Sequence, residues 1–347
     1  MSGTSLDGLD IALCQFEKLK KGYKYTIIGA QTIEYTDKLK HQLKTIYKGN
    51  AHDYFKLNHQ FGAFIGSSVK SFLKKNNLKA QAIASHGHTI FHQPKLGFST
   101  QIGNGASIAA ASGLNTVCDF RSLDIALMGQ GAPLVPIGDL LLFTEFEACL
   151  NLGGIANISF SNKLKKRIAF DICICNIALN YLAEKKGKPF DKDGKMAKKG
   201  KINTPLLKKL NAFDYYTKRG SKSLGFEWFE STILPLLSPL KNNVIEDTLA
   251  TFSEHIAIQI SSVLNKNKIN NILVTGGGVL NTHLIQLIKQ KTKCKISIPP
   301  NEIINFKEAL IFAFLGYLRI NEKINTLKSV TGAKQNSIGG TIYLTKS

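Results

Sequence analysis

Apolar and polar residues follow two different spacings along this chain, one typical of helices and one of strands. In Ala51–Lys75 the apolar positions recur every three or four residues, which predicts a helix with one buried face. The same spacing predicts helices at residues 245–264, 281–290 and 308–320.

Short apolar runs, several of them rich in β-branched residues, predict the strands of the fold. They lie at residues 11–16, 25–33, 80–85, 115–118, 148–152, 155–159, 168–170 and 271–275. Strands and helices alternate in both halves of the chain, which favours an α/β architecture. Several strands run into glycine-rich turns, the places where ligands gather in α/β sheets.

Length and composition narrow the class of protein. The 347 residues are enough for two domains, and no stretch is long and apolar enough to span a membrane. The net charge of +21 could attract nucleic acid, but only four of the 45 basic residues are arginine. Because forked phosphate and base contacts favour arginine, we expect neither a nucleic-acid partner nor a membrane partner.

The spacing of the cysteine and histidine residues does not favour a metal site. The six cysteines form no CxxC pair, which indicates reduced, buried thiols and a cytoplasmic location. Three histidines, His86, His88 and His92, could ligate a metal by their spacing. No carboxylate or cysteine stands at a matching offset, so we favour hydrogen bonding to a polar substrate or to nearby loops.

The first ten residues, MSGTSLDGLD, combine small residues with two carboxylates. Small residues let backbone N–H groups turn towards one point and cradle a phosphate. Asp7 and Asp10 could hold a hydrated magnesium ion. The alternative is a plain polar turn, since no Walker A sequence is present.

Two further glycine-rich turns follow predicted strands. Gly153 and Gly154 lie in NLGGIAN, and Gly276, Gly277 and Gly278 lie in TGGGVLN, just before a predicted helix. Such turns allow close backbone approach to a ligand, and a helix start offers its amides to an anion. Ordinary hairpin turns or close helix–strand packing are the alternatives.

Two charged residues are candidates for chemistry. Asp171 directly follows the predicted strand 168–170, where a carboxylate can deprotonate a nucleophile; a helix N-cap is the alternative. Arg121 is a rare arginine among many lysines, and its forked guanidinium suits a carboxylate ligand. A structural salt bridge is the equal alternative.

Together and in this order, these segments resemble the anhydro-N-acetylmuramic acid kinases. The resemblance covers essentially the whole chain and is carried by MSGTSLDG at 1–8, HGHT at 86–89, GQGAPLVP at 129–136, NLGGIANIS at 151–159, GKPFDKDG at 187–194, KSLG at 222–225, TGGG at 275–278, KEAL at 307–310 and SVTGA at 329–333.

The resemblance implies an α/β fold of two ribonuclease H-like domains, the actin-like ATPase fold, with ATP in an interdomain cleft. The expected domains are residues 1–130 with 325–347, and residues 131–324. The residues expected to bind ATP are Gly3, Thr4, Ser5, Leu6, Asp7, Gly8, Leu9, Asp10, Gly153, Gly154, Gly276, Gly277, Gly278 and Asn281.

The resemblance also implies an unusual kinase reaction in peptidoglycan recycling. Asp171 matches the family's catalytic base, which activates a water to open 1,6-anhydro-N-acetylmuramic acid while ATP phosphorylates its sixth oxygen. Glu308 is expected to face the sugar or this water, and Arg121 the lactyl carboxylate. Mg²⁺ is the expected cofactor, with Asp7 contacting it through water.

Two alternatives remain open beside this kinase. One is a related sugar kinase with another substrate, and the other is a nucleotide-dependent sensor without turnover. Members of the family tend to dimerise, which leaves a homodimer open.

Two of the chain's departures from the family bear most on the fold and on the site. After Asp171 the usual glycine–proline turn is replaced by Ile172, Cys173, Ile174 and Cys175, which could reshape the loop. Family members also place a short apolar strand before MSGTS, where this chain begins. We therefore expect the first hairpin to lack its inner strand partner, and the true start to lie upstream.

Overall fold

The computed structural model describes residues 1–3, 6–218, 220, 222–237 and 245–345. The predicted phosphate-loop residues Thr4 and Ser5 lie outside the described residues. Packing divides the chain into two compact units. Unit 1 comprises residues 1–144 and 306–347, and unit 2 comprises residues 145–305.

These packing boundaries differ from the domain boundaries expected at 130/131 and 324/325. Residues 131–144 and 306–324 pack with unit 1 rather than with the second half. Two contacts in unit 1 account for this. Lys307 forms a buried ion pair with Asp139 at 2.8 Å, and Gly138 lies directly against Ile311.

Strands occur in both units. In chain order they are β1 (Gly8–Lys18), β2 (Tyr23–Glu34), β3 (Ala82–Ala84), β4 (His88–Gln93), β5 (Phe98–Ile102), β6 (Asn115–Cys118), β7 (Ala148–Leu152), β8 (Ile155–Ser161), β9 (Arg167–Ile174), β10 (Asn271–Thr275), β11 (Lys295–Ser297) and β12 (Thr341–Tyr343).

Helices fill most of the remaining described chain. In chain order they are α1 (Asp37–Thr45), α2 (Ala51–Lys75), α3 (Gly105–Ser112), α4 (Ser122–Ala126), α5 (Val135–Leu142), α6 (Asn176–Glu184), α7 (Thr204–Asn211), α8 (Phe226–Trp228), α9 (Leu234–Leu237), α10 (Ile245–Lys266), α11 (Thr282–Lys291), α12 (Asn301–Ile320) and α13 (Lys328–Thr331). A π-helical turn, Phe229–Ile233, joins α8 to α9.

Unit 2 is built on one five-stranded mixed sheet. Its strand order is β11-β10-β7-β8-β9, with β7, β10 and β11 parallel and β8 antiparallel to both of its neighbours. The central strand β7 is almost wholly buried, as expected for a strand covered on both faces. The long helix α10 buries one broad face against α6, α7 and α11, and completes the core.

The described residues of unit 1 form three separate small sheets. β1 pairs with β2 as a long antiparallel hairpin, β4 pairs with β5, and β12-β6-β3 forms a three-stranded sheet. Helix α2 packs on α3, and its N-terminus is capped by Asn50, whose side chain accepts from the Asp53 amide. Buried apolar residues of β1, α2 and α3 share one core.

A groove of about 730 Å³ in unit 1 is lined by β1, β3 and α12. Within the described residues, β1 finds backbone partners on its inner side only at its start. Ser2 forms a bridge with Leu9, and the Asp10 amide donates to the Met1 carbonyl. Beyond Asp10, β2 is the strand that pairs with β1 within the described residues.

The six cysteines, all among the described residues, are reduced thiols, as the sequence indicated. Cys149, Cys173, Cys175 and Cys294 are buried, whereas Cys14 and Cys118 are half-buried.

Candidate functional site

Four polar residues stand in register across the sheet of unit 2. Thr275 of β10 pairs with Asn151 of β7, Asn151 pairs with Asn157 of β8, and Asn157 pairs with Asp171 of β9. Directly paired residues point to the same face of a sheet. Three strand spacings, about 14 Å, therefore separate Asp171 from the residue that precedes the Gly276 turn.

The turn that follows β10 requires glycine at its first position. Gly276 has φ +86°, and a Cβ there would lie 2.5 Å from Asn151 Oδ1 and 2.8 Å from the Leu152 carbonyl oxygen. Gly278 is also tight, with a Cβ 2.7 Å from that of Leu152. Gly277 differs, because nothing lies within 4 Å of its Cβ position. Its backbone is thus open to a ligand at the start of a helical segment.

Asn281 ends this turn and begins α11. It is buried, and its Oδ1 accepts from the Leu284 amide at 3.0 Å, which makes it the helix N-cap. A nucleotide contact from Asn281 would therefore have to use its amide group.

The Gly153–Gly154 turn joins β7 to β8 and is fixed by the start of α6. The Gly154 carbonyl accepts from the amides of Cys175 and Ile177, and the Gly153 carbonyl accepts from that of Asn176. The Asn176 side chain also donates to the Leu152 carbonyl at 3.1 Å. The segment after Asp171 thus holds the glycine turn in place without a glycine or proline of its own.

Asp171 lies inside β9 and not at its end, so the prediction that the strand ends at Phe170 was wrong. The strand continues through Ile172, Cys173 and Ile174, which are buried in the core. Ile172 has no partner on β8 because Asn157 pairs with Asp171 while Ala156 pairs with Cys173. This β-bulge directly beside Asp171 is a device that proteins use to aim a side chain.

The Asp171 carboxylate is half-buried and held at one oxygen. Its Oδ2 accepts from the Leu224 amide at 2.8 Å, and no described residue bonds its Oδ1. Burial raises the pKa of Asp171, and the bond from Leu224 opposes that rise. A carboxylate of this kind, with one oxygen fixed and one open, can accept a proton from water.

Gly3 and Leu6 of the first loop of unit 1 lie close together. The Leu6 amide donates to the Gly3 carbonyl at 3.3 Å, and Leu6 has φ +57°. Gly8 and Leu9 are buried, so among these predicted phosphate-loop residues they present little surface to a ligand. A Cβ on Gly8 would lie 2.6 Å from the Ile33 carbonyl oxygen.

The two carboxylates of this loop differ in their surroundings. Asp7 is exposed, and no described residue bonds it. Asp10 is half-buried, and its Oδ1 accepts from the Thr32 hydroxyl at 2.6 Å. Asp7 is therefore the one whose carboxylate is open to water or a hydrated cation.

Arg121 is held by hydrogen bonds to neutral acceptors. Its Nε and Nη2 donate to His86 Nε2 at 3.2 and 2.8 Å, and its Nη1 donates to the Gly131 carbonyl at 2.6 Å. Burial lowers the pKa of Arg121 to about 10, and nearby Glu308 opposes that fall. Within the described residues no carboxylate forms an ion pair with it, so the predicted alternative of a salt bridge is not observed.

The hydrogen bonds from Arg121 also fix the protonation state of His86. Because its Nε2 accepts from Arg121, the ring proton is on Nδ1, which lies 3.1 Å from the Gly87 carbonyl oxygen and donates to it. Burial and the Arg121 charge lower the pKa of His86 well below its usual range. The His86 imidazole is thus neutral and does not compensate the positive charge of Arg121.

Asp124 secures the glycine-rich loop that carries Gly131. The side chain is buried, with Oδ2 accepting from the Gly131 amide at 2.8 Å and Oδ1 from the Thr331 hydroxyl at 2.7 Å. The GQGAPLVP loop therefore positions the Gly131 carbonyl, which accepts a hydrogen bond from Arg121.

Glu308 projects from α12 in the same unit as Arg121. Its side chain retains solvent access, yet desolvation by the surrounding protein raises its pKa, with Asp10 adding to the rise. Lys307, which is paired with Asp139, and Arg121 oppose that rise. Asp10, Arg121 and Glu308 are thus electrostatically coupled groups of unit 1.

A second pocket of unit 1 lies beside His86. It has a volume of about 690 Å³ and is lined by polar residues such as Asn58, Gln101 and Asp119 and by aromatic residues such as Phe91 and Phe98. This size is typical of small-ligand sites and is ample for a monosaccharide.

Two residues at Asp171 escaped the sequence analysis. Tyr215 and Leu224 bond Asp171 from 44 and 53 residues away along the chain. KSLG at 222–225 was noticed only as part of a resemblance, and no local spacing indicates either contact.

Two kinds of feature are absent from the described part of the chain. There, no group of three or more His, Cys, Asp and Glu side chains is arranged to hold a metal ion. None of the helices described has the length and apolar character needed to cross a membrane.

Comparison with known proteins gives a consistent result. The family profile described as anhydro-N-acetylmuramic acid kinase matches residues 1–345. Anhydro-N-acetylmuramic acid kinase of Mannheimia succiniciproducens is 33% identical over 378 residues, covering 99% of this chain and 97% of that protein. The enzyme of the same name from Sulfurimonas denitrificans is 33% identical over 367 residues, covering 99% and 98%.

A solved structure also matches over much of the chain. Component A of (R)-2-hydroxyglutaryl-CoA dehydratase from Acidaminococcus fermentans is 11% identical and covers 86% of this chain and 95% of its own, with a TM-score of 0.41.

Proposed function

The chain belongs to the anhydro-N-acetylmuramic acid kinase family and is a phosphotransferase of that family, and we propose how its residues carry out the reaction. The substrates are 1,6-anhydro-N-acetylmuramic acid, water and ATP, and the products are N-acetylmuramic acid 6-phosphate and ADP. The observation that carries the residue roles is Asp171, a half-buried carboxylate with Oδ2 fixed and Oδ1 open.

Asp171 is the base of this proposal. Its Oδ1 removes a proton from a water whose oxygen attacks the anomeric carbon of the sugar. The bond from that carbon to the bridging oxygen breaks, and the released sixth oxygen attacks the γ-phosphorus of ATP, from which ADP departs. Because the base must be ionised, the raised pKa of Asp171 brings its proton affinity closer to that needed near neutral pH.

Arg121 is the anion-binding residue of this proposal. The lactyl group of the sugar carries a carboxylate, and a guanidinium that is paired only with neutral acceptors keeps an unused charge for it. Glu308 is electrostatically coupled to Arg121, and we place it near the sugar or the attacking water. The neighbouring pocket beside His86 supports a sugar site in unit 1 by its size and by its mixed polar and aromatic lining.

The nucleotide is proposed to lie against the glycine turns. In unit 2 these are Gly153–Gly154 and Gly276–Gly278, where the open backbone of Gly277 suits a close ligand. Asn281 would contribute its side-chain amide. In unit 1 the first loop from Gly3 to Asp10 is the proposed phosphate segment, of which Thr4 and Ser5 lie outside the described residues.

Magnesium fits the residues of this first loop. Asp7 offers an exposed carboxylate, and a carboxylate with several waters is the donor set that Mg²⁺ prefers. Asp7 would therefore hold the ion through water. When bound, Mg²⁺ offsets the negative charge of the transferring phosphate.

The finer fold proposal is that of two ribonuclease H-like domains of the actin-like type. Numbered from its own first strand, unit 2 has the order 3-2-1-4-5 with the second strand antiparallel to the rest. This order supports the proposal for unit 2. In unit 1 the separate two- and three-stranded sheets match it only in part.

The test is a product analysis on the purified protein. With ATP, magnesium and the anhydro sugar, we expect stoichiometric ADP and a sugar phosphorylated at its sixth oxygen, detected by phosphorus NMR. Turnover with another amino sugar but not with the anhydro sugar would favour the related-kinase alternative. ATP binding without any turnover would favour the sensor and overturn the proposal.

A further inference from the structure

Asp171 is held at its backbone as well as at its side chain. Backbone groups of successive strand residues point to opposite edges, and those of Asp171 point away from β8. Its amide donates to the Lys222 carbonyl at 3.0 Å, and its carbonyl accepts from the Tyr215 hydroxyl at 2.6 Å. With the bond from the Leu224 amide to Oδ2, three contacts fix this residue from one side.

These contacts come from two segments that also hold each other. The Lys222 ammonium donates to the Tyr215 carbonyl at 2.8 Å and lies 4.5 Å from the centre of the Tyr215 ring. Tyr215 is buried and packs against Trp228, with ring centres 5.7 Å apart. The hydroxyl that reaches Asp171 is therefore attached to a ring with little freedom to move.

We propose that Tyr215 and the Lys222–Leu224 segment are positioning residues for Asp171, which keep Oδ2 occupied and aim Oδ1 at the attacking water. This inference rests on the proposed function of Asp171 as the base. The β-bulge at Ile172 explains why such support is needed, because it interrupts the β8–β9 ladder directly beside the reacting group. At that interruption, Tyr215 and Lys222 hydrogen-bond to β9 along the edge that faces away from β8.

The bond from Leu224 has a second consequence, for protonation. Burial raises the pKa of Asp171, whereas the Leu224 amide favours the ionised form and lowers it. Without that donor the carboxylate would hold its proton to a higher pH. The same backbone group thus orients the base and keeps it ionised.

The adjacent tyrosine supplies a matched control. Tyr216 lies in the same aromatic cluster, but its hydroxyl is 3.0 Å from His255 Nε2 and not near Asp171. Replacing either tyrosine by phenylalanine removes one partly buried hydroxyl bond and leaves the ring. Only the Tyr215 change reaches Asp171.

The first test compares Tyr215→Phe with Tyr216→Phe. We expect Tyr215→Phe to lower kcat by about 10-fold or more, since small misplacements of a reacting group are costly. KM for both substrates should stay within about twofold of the parent value, because the loss affects the chemical step. Tyr216→Phe should retain kcat within about twofold while losing comparable thermal stability. Equal kcat values in the two variants would overturn the positioning role of Tyr215.

The second test removes the donor to Oδ2. Leu224→Pro lacks the amide hydrogen, and Leu224→Ala keeps it. The acid limb of the kcat–pH profile should move up by about one pH unit in Leu224→Pro, as expected for losing one bond to a carboxylate, and stay in place in Leu224→Ala. An acid limb that is the same in a folded Leu224→Pro protein would contradict the proposal, and the tyrosine pair decides if that variant does not fold.

Failure of the positioning role can be told apart from failure of the reaction itself. If the parent protein does not phosphorylate the anhydro sugar, or if Asp171→Asn retains its turnover, the proposed function fails. If both of those hold but the tyrosine pair behaves alike, only the positioning inference is lost.

Discussion

The two units differ in how the edges of their strands are paired. Unit 2 has a continuous sheet of five strands whose central strand is almost wholly buried. Unit 1 divides its strands among three small sheets, and a groove of about 730 Å³ runs between β1 and β3. Buried backbone groups need partners, so the difference predicts unequal local stability.

The proposed chemistry follows the same division. Unit 2 carries the fixed base, on a sheet that places Thr275, Asn151, Asn157 and Asp171 in one row. Unit 1 carries the charged groups that are only partly compensated, Arg121 and Glu308. Rigid strands suit a group that must be aimed, and a charge paired with neutral acceptors suits a group that must bind an anion.

The largest expected effect is in unit 2, at the base. Asp171→Asn should lower kcat by about 10²–10⁴-fold, the range for losing a general base, while ATP binding is retained. Because the base must be ionised, activity of the parent should fall as pH drops through the pKa of Asp171, which burial raises above its ordinary value.

Steady-state kinetics and ATP titration by calorimetry would measure this effect. Asn157→Ala, a change to the neighbouring polar residue of the same row, serves as the comparison. Retained turnover in Asp171→Asn would remove this residue from the mechanism.

The next effect concerns the cation of unit 1. Arg121→Ala should raise KM for the anhydro sugar by about 100-fold, as expected for losing a charge-assisted contact with a carboxylate. KM for ATP should change far less, because the proposed partner is the lactyl group.

Arg319→Ala is a suitable control for Arg121. Arg319 also belongs to unit 1, but its Nε donates to the Gly340 carbonyl at 2.8 Å, a contact that ties down the C-terminal strand. An unchanged sugar KM in Arg121→Ala would refute the anion-binding role.

The sequence predicted the elements with strong local patterns. The three- and four-residue spacing of α2 gave both of its ends, because one apolar face persists through all 25 residues. Strands β6, β7 and β10 were predicted with their exact bounds, since turn residues or charges flank each apolar run. The hairpin of β4 and β5 was missed, because HGHTIFHQ has too many polar residues for a strand pattern.

The candidate site was harder to predict because its geometry depends on distant residues. Asp171 was found from its type and resemblance, yet its place inside β9 depends on the bulge at Ile172. The neutral partners of Arg121 are 35 residues before it and 10 residues after it. Glu308 was taken as the start of a helix, whereas α12 begins at Asn301 in a more polar stretch.

A smaller effect is expected at the glycine turn of unit 2. Gly276→Ala should lower the free energy of unfolding by about 2 kcal/mol or more, because its positive φ and the contact with Asn151 Oδ1 both oppose a Cβ. Gly277→Ala should be close to neutral, since its Cβ would meet open space. Urea unfolding measures both, and equal losses would show that the turn is less tightly packed than the structure indicates.

The smallest effect is a difference in local exchange between the two units, in the protein without substitutions. In β1 the Asp10 amide points inward to Met1, so by alternation the Ala12 amide points into the groove. Ile158 of β8 lies between β7 and β9 and is buried. Hydrogen exchange followed by mass spectrometry should show Ala12 exchanging at least about 100-fold faster than Ile158, because local opening costs little at an unpaired edge. Equal protection would mean that the inner edge of β1 is covered in solution, and the expected difference in local stability between the two units would then be wrong.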